Sequence, residues 1–387
     1  MKPKTHILPI IIVSQFACTS LWFAGNAIVG ELSEKTGLGN EIMGYVLSSV
    51  QFGFIIGTLA FALLMVADRF SPSRVFMASA FLAALCNTLL LWDTISSVEL
   101  ILARFGTGFF LAGIYPVGMK IAADYYEKGL GKALGYLVGA LVLGTAFPYL
   151  IRGSEWGHNY TVVIKTTTLL AVSGGLLLWF LVPNGPYRKR SRRLDLKAGF
   201  RLFKIVAFKK AAFGYFGHMW ELYAFWAFTP VALKTFNAHH GSNIPVALWT
   251  FIIIAIGGFS CIWGGYASLR KGSKKVAIIA LSISGICCLL SPALFQLPII
   301  VFLAIWCLWG MAVIADSPQF STLVAANAPS NLKGTGLTLV NCLGFAISIV
   351  SIQLLSYGAD KIDPIFIFMP LTLGPIFGLL GLSRKGS

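Results

Sequence analysis

The sequence is poor in charge. Only 11% of its 387 residues are charged, against roughly 25% in an ordinary soluble domain. Histidine occurs five times and the acidic residues number 14, so the clustered His and carboxylate ligands of a metalloenzyme are hard to assemble. The seven cysteines all fall inside apolar runs, and none has CxxC or other metal-ligand spacing. That excludes a zinc site and a disulfide scaffold, and leaves the thiols as small apolar fillers between helices. No Walker A loop is present to cradle nucleotide phosphates, which excludes a P-loop nucleotide-driven machine. Long polar or low-complexity stretches are missing too, which excludes a disordered tail.

What is abundant is hydrocarbon. Hydrophobic residues make up 57% of the chain, and a bilayer-spanning helix needs about 20 of them in a row. Apolar runs bounded by charge, Gly or Pro fall near 7–30, 42–66, 74–92, 98–123, 131–151, 161–183, 211–236, 245–268, 276–294, 298–325, 334–356 and 364–382. The first run is too long for a signal peptide and has no cleavage site, so it is expected to remain as helix 1. A net charge of +16 would suggest nucleic acid in a soluble protein. Here the cations sit in alternate gaps between runs. With the N-terminus inside, 24 of the 30 Lys and Arg lie inside and four outside (Lys35, Arg152, Lys234, Lys361). This positive-inside pattern predicts two cytoplasmic termini and an inner-membrane, multi-pass protein, with no role for nucleic acid.

The longest hydrophilic stretch follows run 6 and contains Arg188, Lys189, Arg190, Arg192 and Arg193. It divides the chain into a six-helix unit over 1–183, a basic linker over 184–210 and a second six-helix unit over 211–387. Its cations read as a topological anchor against anionic headgroups. The halves share punctuation. Gly108 and Pro116 in span 4 recur as Gly310 and Pro318 in span 10, and Arg69 after span 2 recurs as Arg270 after span 8. Three features recurring after 201 or 202 residues predict a duplicated unit, and such repeats carry substrate sites near the midplane and work by alternating access.

These residues resemble the major facilitator superfamily across essentially the whole chain. The family's G-x-x-x-D-R-x-G-R-R loop is matched by Asp68, Arg69 and Arg74, with Leu64 and Ser71 in place of its glycines. The second-half copy keeps Gly265, Arg270, Gly272, Lys274 and Lys275, with Leu269 at the Asp position. Arg104-Phe-Gly-Thr107-Gly108 is similar to the family's R-x-x-Q-G, and Gly135 to Gly144 half-matches a motif associated with exporters. The resemblance implies an all-α integral membrane fold of twelve transmembrane helices in two pseudo-symmetric six-helix bundles. It also implies a conformational gate of Asp68, Arg69 and Arg270, in which Asp68 meets a helix N-terminus of the opposite half, where unsatisfied N–H groups favour a carboxylate.

An ionisable group inside a span costs about 3 kcal/mol or more unless it faces a partner or a wet cavity. Arg104 shares a helical stripe with Gly108, Leu111 and Tyr115. It cannot shed its proton, so it should bind an anion or pair with a carboxylate; snorkelling to the outer surface is the competing reading. In span 7, Gly214, His218, Glu221 and Phe225 fall on one face. A carboxyl beside an imidazole is what proton coupling requires, and a structural hydrogen bond is the alternative. In span 10, Pro318 is expected to open the helix beside Asp316, with Gln319 sharing that lining; proton coupling, an inner gate and packing compete for Asp316. Gln15, Thr19, Trp22 and Asn26 form a stripe in span 1, and Asn341 lies in span 11. His239 and His240 are expected in a solvated outside loop.

The sequence thus predicts a secondary transporter for a small solute, proton-coupled through Glu221 and Asp316. Substrate contacts are expected from Gln15, Trp22, Arg104, Tyr115, His218, Gln319 and Asn341. A small organic anion or polar metabolite suits one buried Arg among aromatics; a proton-coupled exporter of cationic drugs is the alternative. No enzymatic chemistry, metal or cofactor is expected, and the protein should act as a monomer in the lipid bilayer.

Overall fold

A computed structural model describes residues 6–39, 41–126, 129–188, 194–359 and 361–383. The chain folds as two compact units, Met1–Arg193 and Leu194–Ser387. The cations Lys189, Arg190, Arg192 and Arg193, expected as a topological anchor, lie outside the described residues. Every regular element among the described residues is helical.

The first unit runs α1 (Ile7–Thr19), α2 (Ala24–Ala27), α3 (Val29–Thr36), α4 (Ile42–Leu63), α5 (Val66–Arg69), α6 (Pro72–Thr88), α7 (Ser97–Leu111), α8 (Tyr115–Tyr125), α9 (Leu130–Arg152) and α10 (Tyr160–Leu181). The second runs α11 (Leu196–Arg201), α12 (Val206–His240), α13 (Val246–Lys271), α14 (Ser273–Leu294), α15 (Ile299–Ala315), α16 (Ser317–Ala326), α17 (Lys333–Gly358) and α18 (Leu373–Ser383). Ten of the described helical segments are long and apolar enough to cross a membrane. The shorter apolar α1 and the 35-residue α12 complete twelve. The fold is therefore the expected all-α arrangement of twelve spans.

Caps start the helices where the sequence carries them. Ser96 and Glu99 close a capping box at α7, and Asn159 accepts the Thr161 N–H at α10. Spans 4 and 10 are each broken in two, α7 from α8 and α15 from α16, just before Pro116 and Pro318. Proline has no N–H to give to the carbonyl four residues earlier. At the second break that carbonyl, Ile314 O, receives the Cys261 thiol at 3.4 Å.

The duplication is visible in how the spans touch. A Cβ on Gly108 would run into the Val50 backbone of α4, and one on Gly310 into the Ile253 backbone of α13. Corresponding helix pairs in the two units thus cross at corresponding glycines, as small residues permit in membranes.

Two expectations need correction. Run 7–30 is not one helix: the chain turns over residues 20–23 between α1 and α2. There the Thr19 hydroxyl bonds Gln15 O at 2.8 Å and the Ser20 hydroxyl bonds Ala17 O at 2.7 Å. Such back-bonding competes with the helical ladder. His239 and His240 are not in a loop; they form the last turn of α12. His240 Nε2 sits 2.6 Å from Phe295 O and its ring stacks on Phe236.

Charges pair with partners from the same group of gaps. Arg152 meets Glu31, and Lys35 lies 3.4 Å from Asp93. Lys120 lies 3.1 Å from Asp68 and 3.6 Å from Asp124.

Candidate substrate and proton site

In the first unit the break after α1 frees backbone carbonyls inside the bundle. Arg104, fully buried on α7, donates its Nη2 to Trp22 O at 2.6 Å and to Leu21 O at 3.2 Å. Snorkelling is thereby excluded. Its Nε and Nη1 have no hydrogen-bond partner among the described residues, and it has no carboxylate partner there. Those two nitrogens carry three N–H groups, and a buried donor left unmade costs about 1–3 kcal/mol.

Gln15 is buried on α1 with its carbonyl oxygen against Gly118 of α8, and neither end of its amide has a partner among the described residues. Trp22 is buried and its ring lies 4.9 Å from that of Phe54. The stripe expected to join Arg104 to Tyr115 stops short. Arg104, Gly108 and Leu111 are buried on α7, whereas the half-buried Tyr115 begins α8, after the turn at residues 112–114.

In the second unit the buried ionisable groups sort into two sets. Glu221 of α12 accepts the Trp309 indole N–H of α15 at 2.5 Å and the Ser284 hydroxyl of α14 at 2.9 Å. His218, one turn earlier on α12, faces elsewhere. Its Nδ1 lies 2.8 Å from Asp316 Oδ1 at the α15–α16 break, close but off the line of a straight N–H···O bond. Both side chains are almost wholly buried. The imidazole expected beside Glu221 is therefore the partner of Asp316. Three residues on a helix advance it by about 300°, near enough to share a stripe yet enough to meet different neighbours.

Gln319 and Asp316 also part company: Gln319 points toward Gly264 of α13. Asn341 of α17 accepts the Tyr215 hydroxyl at 2.7 Å. Among the expected gate residues, Asp68 pairs with Lys120 of its own unit, and Arg188 donates to the Asp68 and Phe70 carbonyls. Arg69 and Arg270 are exposed and have no carboxylate partner among the described residues. Sequence reasoning missed Ser284 and Trp309, which carry no pattern, and missed Lys120 as the partner of Asp68. No group of three or more metal-ligating side chains comes together among the described residues.

Comparison with known proteins agrees with this architecture. The chain is similar over essentially its whole length to three solved structures. The nucleoside transporter NupG, in a point-mutant form, shares 14% identity at a TM-score of 0.73, covering 97% of this chain and 98% of that one. The human organic anion transporter MFSD10 (TETRAN) shares 13% identity at a TM-score of 0.72, covering 99% and 100%. A bacterial homolog of the human lysosomal transporter Spinster, solved inward-facing and occupied, shares 13% identity at 0.68, covering 98% and 94%. No curated protein matches the sequence. The Major Facilitator Superfamily model matches residues 10–352. The chain, a multi-pass membrane transporter, belongs to the major facilitator superfamily.

Proposed function

We propose that the protein moves a small organic anion, coupled to protons, by alternating access across an inner membrane with both termini cytoplasmic. The observation that carries the anion reading is Arg104, buried with its Nε and Nη1 idle. Fixed guanidinium donors match carboxylate geometry bidentately. Gln15 and Trp22 are both buried in the first unit, and Tyr115 follows Arg104 in span 4. A lipophilic cation fits less well. The carboxylate of Glu221 is already taken by Trp309 and Ser284, and Asp316 is engaged with His218.

Protons enter through the second unit. Glu221 can hold or lose a proton while Trp309 and Ser284 keep its carboxyl fixed in place. His218 and Asp316 share a buried contact, with 2.8 Å between Nδ1 and Oδ1. Intramembrane ionisable residues of this kind mark proton relays. Asp68, Arg69 and Arg270 are retained as the gate, with Asp68 acting through Lys120. The protein works as a monomer. The test is uptake of p-aminohippurate, salicylate and uridine into proteoliposomes under an imposed pH gradient. Uptake of an organic anion, abolished by collapsing the gradient, supports the reading. Uptake that ignores the gradient removes the proton coupling, and uptake of uridine alone removes the anion.

A further inference from the structure

The segment that leads into α12 has two unlike sides. Asp195 accepts the Ala198 N–H at 2.9 Å and so starts α11, and a 3-10 turn over Leu202–Lys204 joins it to α12. One side is fixed to the bundle. Leu202 and Phe208 are buried, and a Cβ on Gly199 would press on Thr335 of α17 at 2.9 Å. Gly336, in the first turn of α17, makes room for Leu202 and Phe208 in the same way.

The other side is exposed and mixed. Lys197, Arg201, Lys204 and Lys209 face outward, and neither they nor Lys210 pair with a carboxylate among the described residues. Phe200 stands between them, 57% exposed, with Ile205 and Val206 exposed beside it. The one carboxylate of the segment, Asp195, is occupied by its cap. Large apolar side chains interleaved with unpaired cations suit the boundary between acyl chains and headgroups. Connectivity puts the segment at that boundary, because it runs directly into a spanning helix.

We propose that residues 195–210 form a binding surface for anionic phospholipid. Phe200, Ile205 and Val206 enter the acyl boundary while Lys197, Arg201, Lys204, Lys209 and Lys210 meet headgroup phosphates. The contacts of Gly199 and Leu202 with α17 carry that binding to the first turn of α17, so bound lipid stabilises the second unit.

The test is thermal unfolding of the full-length protein in detergent, titrated with phosphatidylglycerol, phosphatidylcholine or inorganic phosphate. A cation near an anionic lipid surface is worth about fivefold in affinity. Replacing Lys197, Arg201 and Lys204 together by Gln should therefore raise the half-saturating phosphatidylglycerol concentration about 100-fold. A Lys165→Gln/Lys234→Gln control should respond as wild type. Equal responses of the triple variant and wild type, or equal stabilisation by phosphatidylcholine, would overturn the proposal. Stabilisation by inorganic phosphate that matches phosphatidylglycerol would reassign the surface to a soluble anion and also overturn it. If the triple variant does not fold, the wild-type response decides: it must weaken steeply between 50 and 500 mM salt, roughly a threefold change in Debye length.

Discussion

Glu221→Gln separates a proton-carrying carboxyl from a structural one. The side chain is almost wholly buried and receives two donors, the Trp309 N–H at 2.5 Å and the Ser284 hydroxyl at 2.9 Å. Gln keeps the shape and one acceptor oxygen, which the indole can retain. Its amide NH2 then faces Ser284, whose hydroxyl can accept it while donating to Leu281 O, 3.2 Å away. The substitution weakens about one hydrogen bond, worth about 0.6–1.7 kcal/mol within a bilayer. Folding should survive with a small drop in Tm. Transport should not. A Gln cannot take up and release a proton, so anion uptake driven by a pH gradient should fall to background while counterflow exchange persists. Proteoliposomes loaded with unlabelled anion measure both in one preparation. Unchanged driven uptake would make Glu221 structural and leave Asp316 as the proton carrier. Loss of exchange along with driven uptake, in a folded variant, would place Glu221 in substrate binding instead.

Other outcomes follow from the packing. Gly108→Ala and Gly310→Ala force a methyl against the backbones of Val50 and Ile253, so each should cost about 1–3 kcal/mol by overpacking and lower Tm. Gly135→Ala in α9 has open space around it and should leave Tm unchanged or raise it; equal losses at all three sites would contradict the crossing geometry. For the buried His218–Asp316 pair, removing either partner should cost about 3–5 kcal/mol, and the paired His218→Leu/Asp316→Leu variant should recover most of it. A double-mutant cycle by thermal unfolding checks this, and additive losses would refute the pairing. Phosphatidylglycerol should raise the wild-type Tm through residues 195–210, and phosphatidylcholine should not.

Much of the architecture was legible because the bilayer constrains it so tightly. Twelve apolar runs separated by alternating charge leave little choice of fold, and Pro318 marks the break in span 10 by residue type alone; Pro116 carries the same signal in span 4, where helical periodicity instead drew one stripe from Arg104 to Tyr115. The break at Ser20 carries no proline or glycine. It comes from hydroxyl back-bonding, which an apolar run conceals. The start of α12 was misplaced for the opposite reason: Lys209 and Lys210 end a hydrophobic run, but lysine is a good helix former and the helix continues through them.

The candidate site was legible by residue type and illegible by pairing. Arg104, Glu221, His218 and Asp316 stand out as ions in hydrocarbon. Their partners lie far along the chain, Ser284 at 63 and Trp309 at 88 residues from Glu221. A serine in an apolar run gives no sign of whom it will meet. Helical periodicity put His218 beside Glu221, whereas packing against α15 and α16 gave it to Asp316.

The most direct test of the transport assignment is a thermal-shift titration of purified wild type, Arg104→Lys and Arg104→Ala with small organic anions. Binding to the folded state stabilises by RT ln(1 + [L]/Kd), so millimolar ligand reveals even weak sites. Organic carboxylates should raise the wild-type Tm, the effect should shrink in Arg104→Lys, which loses the bidentate fork, and it should vanish in Arg104→Ala. An anion response that survives intact in a folded Arg104→Ala variant would show that the idle Nε and Nη1 of Arg104 serve the bundle and not the substrate.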